Sequence, residues 1–144
     1  MLLGSDNLER LRRAHVLVVG LGGVGAYAAE MMVRAGVGNL TIADADVVGE
    51  SNINRQLVAL RSTIGMPKTE VLASRLLDIN PEVNLTVINE YLRDERTFEV
   101  LDSQKFDFVV DAIDTLSPKI HLITGAVRRG LPLVSSMGAG GKLD

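Results

Sequence analysis

Short apolar runs alternate with helical patterns along the whole chain. Five runs rich in β-branched residues predict strands at residues 16–19, 40–43, 85–88, 108–110 and 131–136. Uncharged strands that alternate with helices are typical of βαβ units, which build a parallel sheet. The pattern therefore predicts a doubly wound α/β fold, with helices covering both faces of the sheet.

Capping residues and prolines mark the ends of four predicted helices. The first runs from about Gly25 to Ala35, ends at Gly36 in a left-handed cap, and carries Tyr27 and Met31 on one face. The second helix has Pro67 in its first turn and ends before Pro81. The third begins at the cap Asp94. The fourth has Ser117 as its N-cap and ends just before Gly130.

The connection between the second strand and the second helix is unusually long. It covers residues 45–66, whereas such connections commonly have about 2–6 residues. Ser51 is suited to cap a short helix, and Leu57, Val58 and Leu60 supply apolar positions after it. We therefore expect either a functional segment or a small extra helix here.

Composition excludes several classes of function. With 144 residues, of which 47% are apolar and 23% charged, the chain has the make-up of one globular domain. Fifteen Lys and Arg against 18 Asp and Glu leave a net charge of −3, so overall charge does not draw the chain to nucleic acid. The absence of cysteine excludes a disulfide framework, a cysteine-based zinc site and a thioester on this chain.

The chain shows no segment typical of a membrane span or a signal peptide. Its longest uncharged run, residues 16–29, is shorter than the roughly 20 apolar residues that a membrane helix needs. The first residues mix acids and bases and lack an apolar core. We therefore expect a cytoplasmic protein. No covering element follows the fifth strand, which we interpret as a missing C-terminal part or a partner.

A glycine-rich loop follows the first strand and opens the first helix. Its sequence, GLGGVG, places Gly20, Gly22, Gly23 and Gly25 in the pattern with which Rossmann-like folds bind nucleotides. The glycines permit a tight turn and let a phosphate approach the N–H groups of the helix N-terminus. Asp44 follows about 20 residues later, where a carboxylate accepts hydrogen bonds from ribose. The loop indicates a nucleotide, and a turn that only packs helix against strand is the alternative.

Three polar features favour a triphosphate over the dinucleotide NAD. The long connection holds Asn52, Arg55 and Gln56, and an arginine offers two parallel hydrogen bonds to phosphate oxygens. Lys68 lies in the first helical turn, where the helix dipole disfavours a cation unless an anion compensates it. Asp114 follows the fourth strand at the edge where open α/β sheets bind ligands, and a carboxylate among such cations indicates Mg²⁺.

Each of these residues also has a purely structural interpretation. Arg55 suits a solvated loop, Lys68 suits an exposed helix surface, and Asp114 suits a turn cap. Asp46 fits equally a supporting position at the site and the protein surface. We interpret Asp111 as structural rather than catalytic.

An ordered set of motifs resembles the ubiquitin-activating-enzyme-like adenylation family. The motifs are GLGGVG at 20–25, DAD at 44–46, SNINRQ at 51–56, GMPKTE at 65–70, INP at 79–81 and DAIDT at 111–115. They cover nearly the whole chain. The DAIDT segment, the SPK that follows and the final PLVSSMGAGGKLD are most similar to the branch that dehydrates threonylcarbamoyladenosine in tRNA.

The resemblance implies a nucleotide site with ATP and Mg²⁺ as cofactors, in a homodimer. The roles it implies are adenosine and ribose binding for Gly23 and Asp44, phosphate binding for Asn52, Arg55 and Lys68 with Gln56 beside them, and Mg²⁺ binding for Asp114. Of these, Arg55, Lys68 and Asp114 would be catalytic. This chain lacks the arginine-bearing arm that usually precedes Leu2 in the family, and family members usually continue past the GKLD at its end.

Four functions stay open on the sequence alone. The first is ATP-dependent adenylation of a carboxylate that leads to cyclising dehydration of N6-threonylcarbamoyladenosine in tRNA, which needs no protein thioester. The second is adenylation of the C-terminal glycine of a ubiquitin-like sulfur-carrier protein. An NAD-dependent oxidoreductase and a non-catalytic nucleotide-binding domain are the other two. We expect residues 1–144 to form a single ATP-binding adenylation domain that lacks a C-terminal segment.

Overall fold

The five strands form one parallel sheet in the order β3-β2-β1-β4-β5. In the computed structural model, which describes residues 4–136, they are β1 (His15–Val19), β2 (Asn39–Ala43), β3 (Asn84–Ile88), β4 (Phe108–Asp111) and β5 (Leu133–Ser135). The strand order reverses between β1 and β4. The carboxyl ends of these two strands therefore mark a topological switch point, where ligands of such sheets bind.

Within residues 4–136 there are five α-helices. They are α1 (Ser5–Arg13), α2 (Gly23–Ala35), α3 (Lys68–Ile79), α4 (Glu95–Ser103) and α5 (Leu116–Arg128). Of these, α2 to α5 cover the two faces of the sheet. Val18 of β1 belongs to the apolar core under α2 and α3, whereas its neighbour Leu17 belongs to the core under α4 and α5. The predicted doubly wound α/β fold is confirmed.

The first predicted helix is present as α2, with its large side chains facing outwards. It begins at Gly23 and ends at Gly36, whose φ of 112° is the expected left-handed cap. Tyr27 and Met31 are 57% and 41% exposed, and the residues that face the core are small (Ala26, Ala29) or β-branched (Val33). Small side chains let the helix backbone lie close to the sheet.

Of two predicted N-caps, one is wrong and the other lies where it was predicted. Thr115, not Ser117, occupies the N-cap of α5, and Ser117 lies inside the helix. The reason is that a proline such as Pro118 fits anywhere in the first turn, where backbone N–H groups have no helical acceptor, so it does not define the first residue. Asp94 occupies the N-cap of α4, but its side chain makes no capping hydrogen bond.

Helix α1 has no counterpart among the predicted elements. It is short, rich in charge and contains no buried residue. A partly buried Leu11 packs against the core, and Leu8 and Leu11 are the only apolar residues of the helix, too few to predict it from hydrophobic periodicity.

The long connection forms two short 3-10 helices, Glu50–Asn52 and Arg61–Thr63. Ser51 lies inside the first of them and is not its cap. Val58 is buried in the core, whereas Leu60 is exposed. The two ends of the connection are joined by hydrogen bonds from the Val48 N–H to the Met66 carbonyl, 2.8 Å, and from the Lys68 N–H to the Asp46 carbonyl, 3.0 Å. We call this closed junction the neck of the loop.

The fifth strand is shorter than predicted, since it covers only Leu133–Ser135. The final GAGGKLD motif lies outside the described residues. In the range 4–136, no helix is long and apolar enough to cross a lipid bilayer.

Candidate functional site

A pocket opens at the carboxyl ends of β1, β2 and β4, at the switch point of the sheet. Six of the residues predicted from the sequence line it, namely Gly20, Gly22, Asp44, Asp46, Lys68 and Asp114. The loop after β3 adds another wall, and the loop after β4 carries Asp114 into the opening. The fold thus brings together residues that are far apart in the sequence.

Two of the four loop glycines are required by protein packing. Gly20 has a φ of 96°, and a Cβ there would lie 2.5 Å from the carbonyl oxygen of Ala112. A Cβ on Gly25 would overlap the carbonyl oxygen of Gly20 and press on Ala112. These two glycines let the loop and α2 approach the end of β4.

The other two glycines are not required by close packing. A Cβ on Gly22 would lie 3.5 Å from the side-chain Nε2 atom of Gln56, and one on Gly23 would lie 3.6 Å from the Arg55 carbonyl oxygen. Both are ordinary van der Waals contacts. No side chain within residues 4–136 caps the N-terminus of α2 at Gly22, and its first turn holds no acidic residue. Unpaired N–H groups at a helix N-terminus form an anion site.

The carboxylate of Asp44 shapes the pocket from inside. One oxygen accepts the backbone N–H of Leu21 at 2.6 Å, and the other accepts the N–H of Asp46 at 2.7 Å. Each carboxylate oxygen has a second lone pair. Asp44 therefore holds two loops and still has acceptor capacity for the hydroxyls of a sugar.

Lys68 places a buried positive charge on the pocket wall. It is 5% exposed and is the first residue of α3. Among the described side chains, the nearest carboxylate to its ammonium group is that of the exposed Asp46, at 3.8 Å. A buried ammonium is costly unless it is paired and hydrogen-bonded. The site is therefore suited to bind an anion.

Asp114 is exposed at the mouth of the pocket. Its carboxylate makes no hydrogen bond to any residue between 4 and 136, and no group of three metal-ligating side chains forms within that range. Mg²⁺ in nucleotide sites is commonly held by one or two carboxylates together with phosphates and waters. A single free carboxylate beside an anion site fits this pattern.

Asn52, Arg55 and Gln56 do not line the pocket itself: Arg55 and Gln56 lie beside the glycine loop, and the Asn52 carbonyl accepts the backbone N–H groups of both. The side-chain oxygen of Asn52 accepts the Gly49 N–H at 2.8 Å, and this bond closes the first 3-10 helix. The guanidinium of Arg55 is exposed and donates to the Ser51 carbonyl at 3.0 Å. The buried Oε1 atom of Gln56 has no partner among the described groups. The three residues form an outer edge of the site.

The wall formed by the loop after β3 is absent from the sequence prediction. The hydroxyl of Tyr91 lies 3.1 Å from that of Thr115, and the two side chains bridge adjacent walls of the pocket. Hydrogen bonds from the Arg96 guanidinium hold the pKa of Glu90 below its usual range. Glu90 and Tyr91 follow the strand without any motif, so only the sheet order reveals their position.

Comparison with known proteins identifies relatives of this chain. Residues 1–142 match the ThiF family. A tRNA threonylcarbamoyladenosine dehydratase of Bacillus subtilis is 44% identical over 142 residues, which are 99% of this chain and 56% of that protein. A molybdopterin-synthase adenylyltransferase of Escherichia coli is 38% identical over 130 residues, which are 90% of this chain and 51% of that protein.

Solved structures show the same architecture. The crystal structure of the tRNA N6-threonylcarbamoyladenosine dehydratase of Escherichia coli in complex with ATP has a TM-score of 0.93 and 42% identity, and the match covers 99% of this chain and 58% of that one. The complex of the same enzyme with AMP has a TM-score of 0.93 and 41% identity, with the same coverage. The chain thus spans about half the length of the curated relatives that it matches.

Proposed function

Because this chain belongs to the ThiF family, as the order of its motifs predicts, we propose that it forms the ATP-binding part of an adenylating enzyme. The reaction is the adenylation of a carboxylate. The observation that carries this proposal is the buried ammonium of Lys68, which faces the pocket with its nearest carboxylate 3.8 Å away. At 3.8 Å the Asp46 carboxylate is within ion-pair distance but beyond hydrogen-bond distance, and a triphosphate would supply oxygens for this ammonium to hydrogen-bond.

The charge around the pocket fits a nucleoside triphosphate better than NAD. The free N–H groups at Gly22 and Gly23 suit one phosphate, Lys68 suits the next, and Arg55 stands at the outer edge. Asp44 would accept hydrogen bonds from the ribose. The ATP complex of the Escherichia coli relative supports the same ligand here.

Asp114 is the residue that would hold Mg²⁺, because its carboxylate is exposed and lines the mouth of the pocket. When bound, the ion would neutralise negative charge on the phosphates. The nucleotide would bring most of the remaining ligands, as is usual for this metal.

In the reaction, a carboxylate oxygen of the substrate attacks the α-phosphorus, and the bond from that phosphorus to the bridging oxygen of pyrophosphate breaks. Pyrophosphate leaves with the electron pair, and an acyl adenylate remains. Lys68 and Arg55 would stabilise the charge that builds up on the phosphate oxygens. Their contribution is electrostatic, since neither has to transfer a proton.

For the substrate, we propose N6-threonylcarbamoyladenosine in tRNA. An internal nucleophile of the modified base would then displace AMP and close a ring, with net loss of water. The dehydratases at 42–44% identity support this branch. This chain has no cysteine, and the proposed route needs none because no protein thioester is formed.

Adenylation of the C-terminal glycine of a ubiquitin-like sulfur carrier is the second candidate, favoured by the adenylyltransferases at 38% identity.

With tRNA as its substrate, the protein would act in the cytoplasm, and we propose that it does so as a homodimer. Residues 1–144 would serve as its single adenylation domain.

Calorimetric titration with Mg–ATP, and separately with NAD, tests the nucleotide. We expect binding of Mg–ATP, and binding of NAD alone would overturn the proposal. Pyrophosphate release in the presence of modified tRNA or of a diglycine-ended carrier protein then identifies the substrate, because only the true acceptor stimulates it.

Arg55→Ala should lower pyrophosphate release by about 10²–10³-fold, the usual effect of losing one such charge. Arg61→Ala is the matched control, since Arg61 is an exposed arginine of the same connection but belongs to the second 3-10 helix, not to the segment whose backbone lies beside the glycine loop. An Arg55→Ala rate equal to that of the control would remove Arg55 from the site.

A further inference from the structure

A buried polar cluster lies at the ends of β4 and β5, behind the wall of the pocket. Asp111, the last residue of β4, is fully buried. Its Oδ2 atom accepts the ammonium of Lys119 and the hydroxyl of Ser135, each at 2.6 Å. Its Oδ1 atom accepts the backbone N–H of Ile113 at 3.0 Å. We call Asp111, Lys119 and Ser135 the anchor cluster.

The anchor cluster joins the elements around the Asp114 loop. The ammonium of Lys119 on α5 also donates to the carbonyl of Ser136 at 3.0 Å, just after β5. The bond from the Ile113 N–H fixes the residue directly before Asp114. One carboxylate and one ammonium thus set the relative positions of β4, α5, the end of β5 and the loop after β4.

None of the three anchor side chains lines the pocket, so the cluster does not touch a ligand there. The cluster is also expected to contribute little net folding stability. Burying an ion pair costs desolvation energy, and apolar side chains of similar volume often stabilise a protein as well or better. Lys119 further lies in the N-terminal half of α5, where the helix dipole opposes a cation. Such a cluster fixes the relative orientation of the elements that it joins, since charge-assisted hydrogen bonds constrain angles that apolar contacts leave free.

We propose that Lys119, acting through Asp111 and Ser135, is a positioning residue that holds the Asp114 loop in the geometry needed to bind the metal–nucleotide complex. This inference rests on the proposed function, because it assigns Asp114 to the metal. Lys119 acts through the loop and not on the ligand.

Hydrogen exchange tests the positioning without any ligand. In Lys119→Met and Ser135→Ala, we expect faster exchange at the amides of residues 112–115 and unchanged exchange at residues 44–46. Arg129→Met is the matched control, because Arg129 also joins α5 to a neighbouring element, through Asp102, but lies at the C-terminal end of that helix, opposite the pocket-lining Pro118. Ser135→Ala removes one hydroxyl and decides the test if Lys119→Met does not fold.

Calorimetry tests the link to the metal. Lys119→Met should weaken Mg–ATP binding by about tenfold, at the lower end of what loss of a residue supporting a metal ligand costs, and should leave the binding of ATP in EDTA unchanged. In an Asp114→Asn background the same substitution should have no further effect, since the two residues act on one interaction. Loss of stability alone would not produce this pattern.

Two results would overturn the proposal. One is a folded variant in which loop exchange matches that of Arg129→Met, and the other is an effect on Mg–ATP affinity that adds fully to that of Asp114→Asn. If the unmodified protein bound no ATP, the proposed function would fail. The exchange data would then still show whether the anchor cluster orders the loop, so the two failures remain distinct.

Discussion

The carboxylate of Asp44 and the backbone N–H of Leu21 form a 2.6 Å hydrogen bond that ties the end of β2 to the glycine loop after β1. The same carboxylate holds the N–H of Asp46. Asp44, which we propose as the ribose-binding residue, therefore also shapes the glycine loop that would face the phosphates of the proposed nucleotide. Nucleotide affinity and loop geometry should respond together when it is changed.

Asp44→Asn should lower both the unfolding temperature and the affinity for ATP. An amide has one acceptor oxygen in place of two, so one of the two backbone N–H groups loses its partner, and a hydrogen bond to a charged group is worth about 1.5–3 kcal/mol. Thermal unfolding and calorimetry measure the two effects. Asp78→Asn on the exposed side of α3 is the control, and equal behaviour of the two variants would contradict this role for Asp44.

Gly22→Ala and Gly25→Ala should have opposite consequences. A methyl group on Gly22 contacts only the Gln56 amide at an ordinary distance, whereas one on Gly25 overlaps the Gly20 carbonyl. We expect Gly22→Ala to keep its unfolding temperature and lose ATP affinity, because the methyl group enters the space at the helix N-terminus. Gly25→Ala should be strongly destabilised. Circular dichroism melting with calorimetry separates the two, and a stable Gly25→Ala protein would disprove the packing explanation.

Lys68→Met should bind ATP far more weakly and yet be at least as stable as the unmodified protein. The methionine keeps the apolar stem but removes a buried charge whose nearest carboxylate is 3.8 Å away. Residues that are kept for function commonly reduce stability. Chemical denaturation measures the free energy of unfolding. A marked loss of stability would mean that the ammonium has a structural partner and is not reserved for a ligand.

Stability should fall as the pH is lowered below about 6.5, with His15 as one cause. Burial lowers the pKa of His15 from its ordinary value of 6.5, although the nearby Asp107 partly opposes this shift. Between the two pKa values the unfolded chain binds a proton that the folded chain does not, so the free energy of unfolding decreases with decreasing pH. His15→Gln, which can still hydrogen-bond to Thr41, should reduce this dependence in denaturation curves recorded from pH 7.5 to about 5. An unchanged pH profile would exclude His15.

Most of the sheet could be predicted from the sequence because buried parallel strands are continuous apolar runs. The motif residues Gly20, Asp44 and Asp114 could also be placed at one edge, since carboxyl ends of parallel strands meet there. Two kinds of feature could not be predicted from the sequence. Helix α1 has only two apolar residues, and Tyr91 belongs to no motif, so that its place in the pocket depends on a strand order that the sequence does not give.

The glycine motif also shows a limit of sequence reasoning. All four glycines fit one nucleotide-binding pattern, but Gly20 is required by its contact with the Ala112 backbone after β4, and Gly25 by its contacts with the Gly20 carbonyl and the Ala112 side chain. Such a contact joins residues about 90 positions apart, and single-sequence motifs carry only local spacing. The division of the motif into packing and ligand positions therefore becomes visible only in three dimensions.

The neck at Val48 and Met66 makes the long connection a module with its own boundaries. Since the neck fixes both ends of the connection, changes at its exposed positions need not displace Lys68 on the far side of the neck. Val58, midway along the connection, is buried in the core, while Leu60 and Ile64 are exposed. Substitutions at Leu60 and Ile64 should therefore alter the surface of this segment without moving Lys68, whereas changes near Arg55 would reach the outer edge of the site.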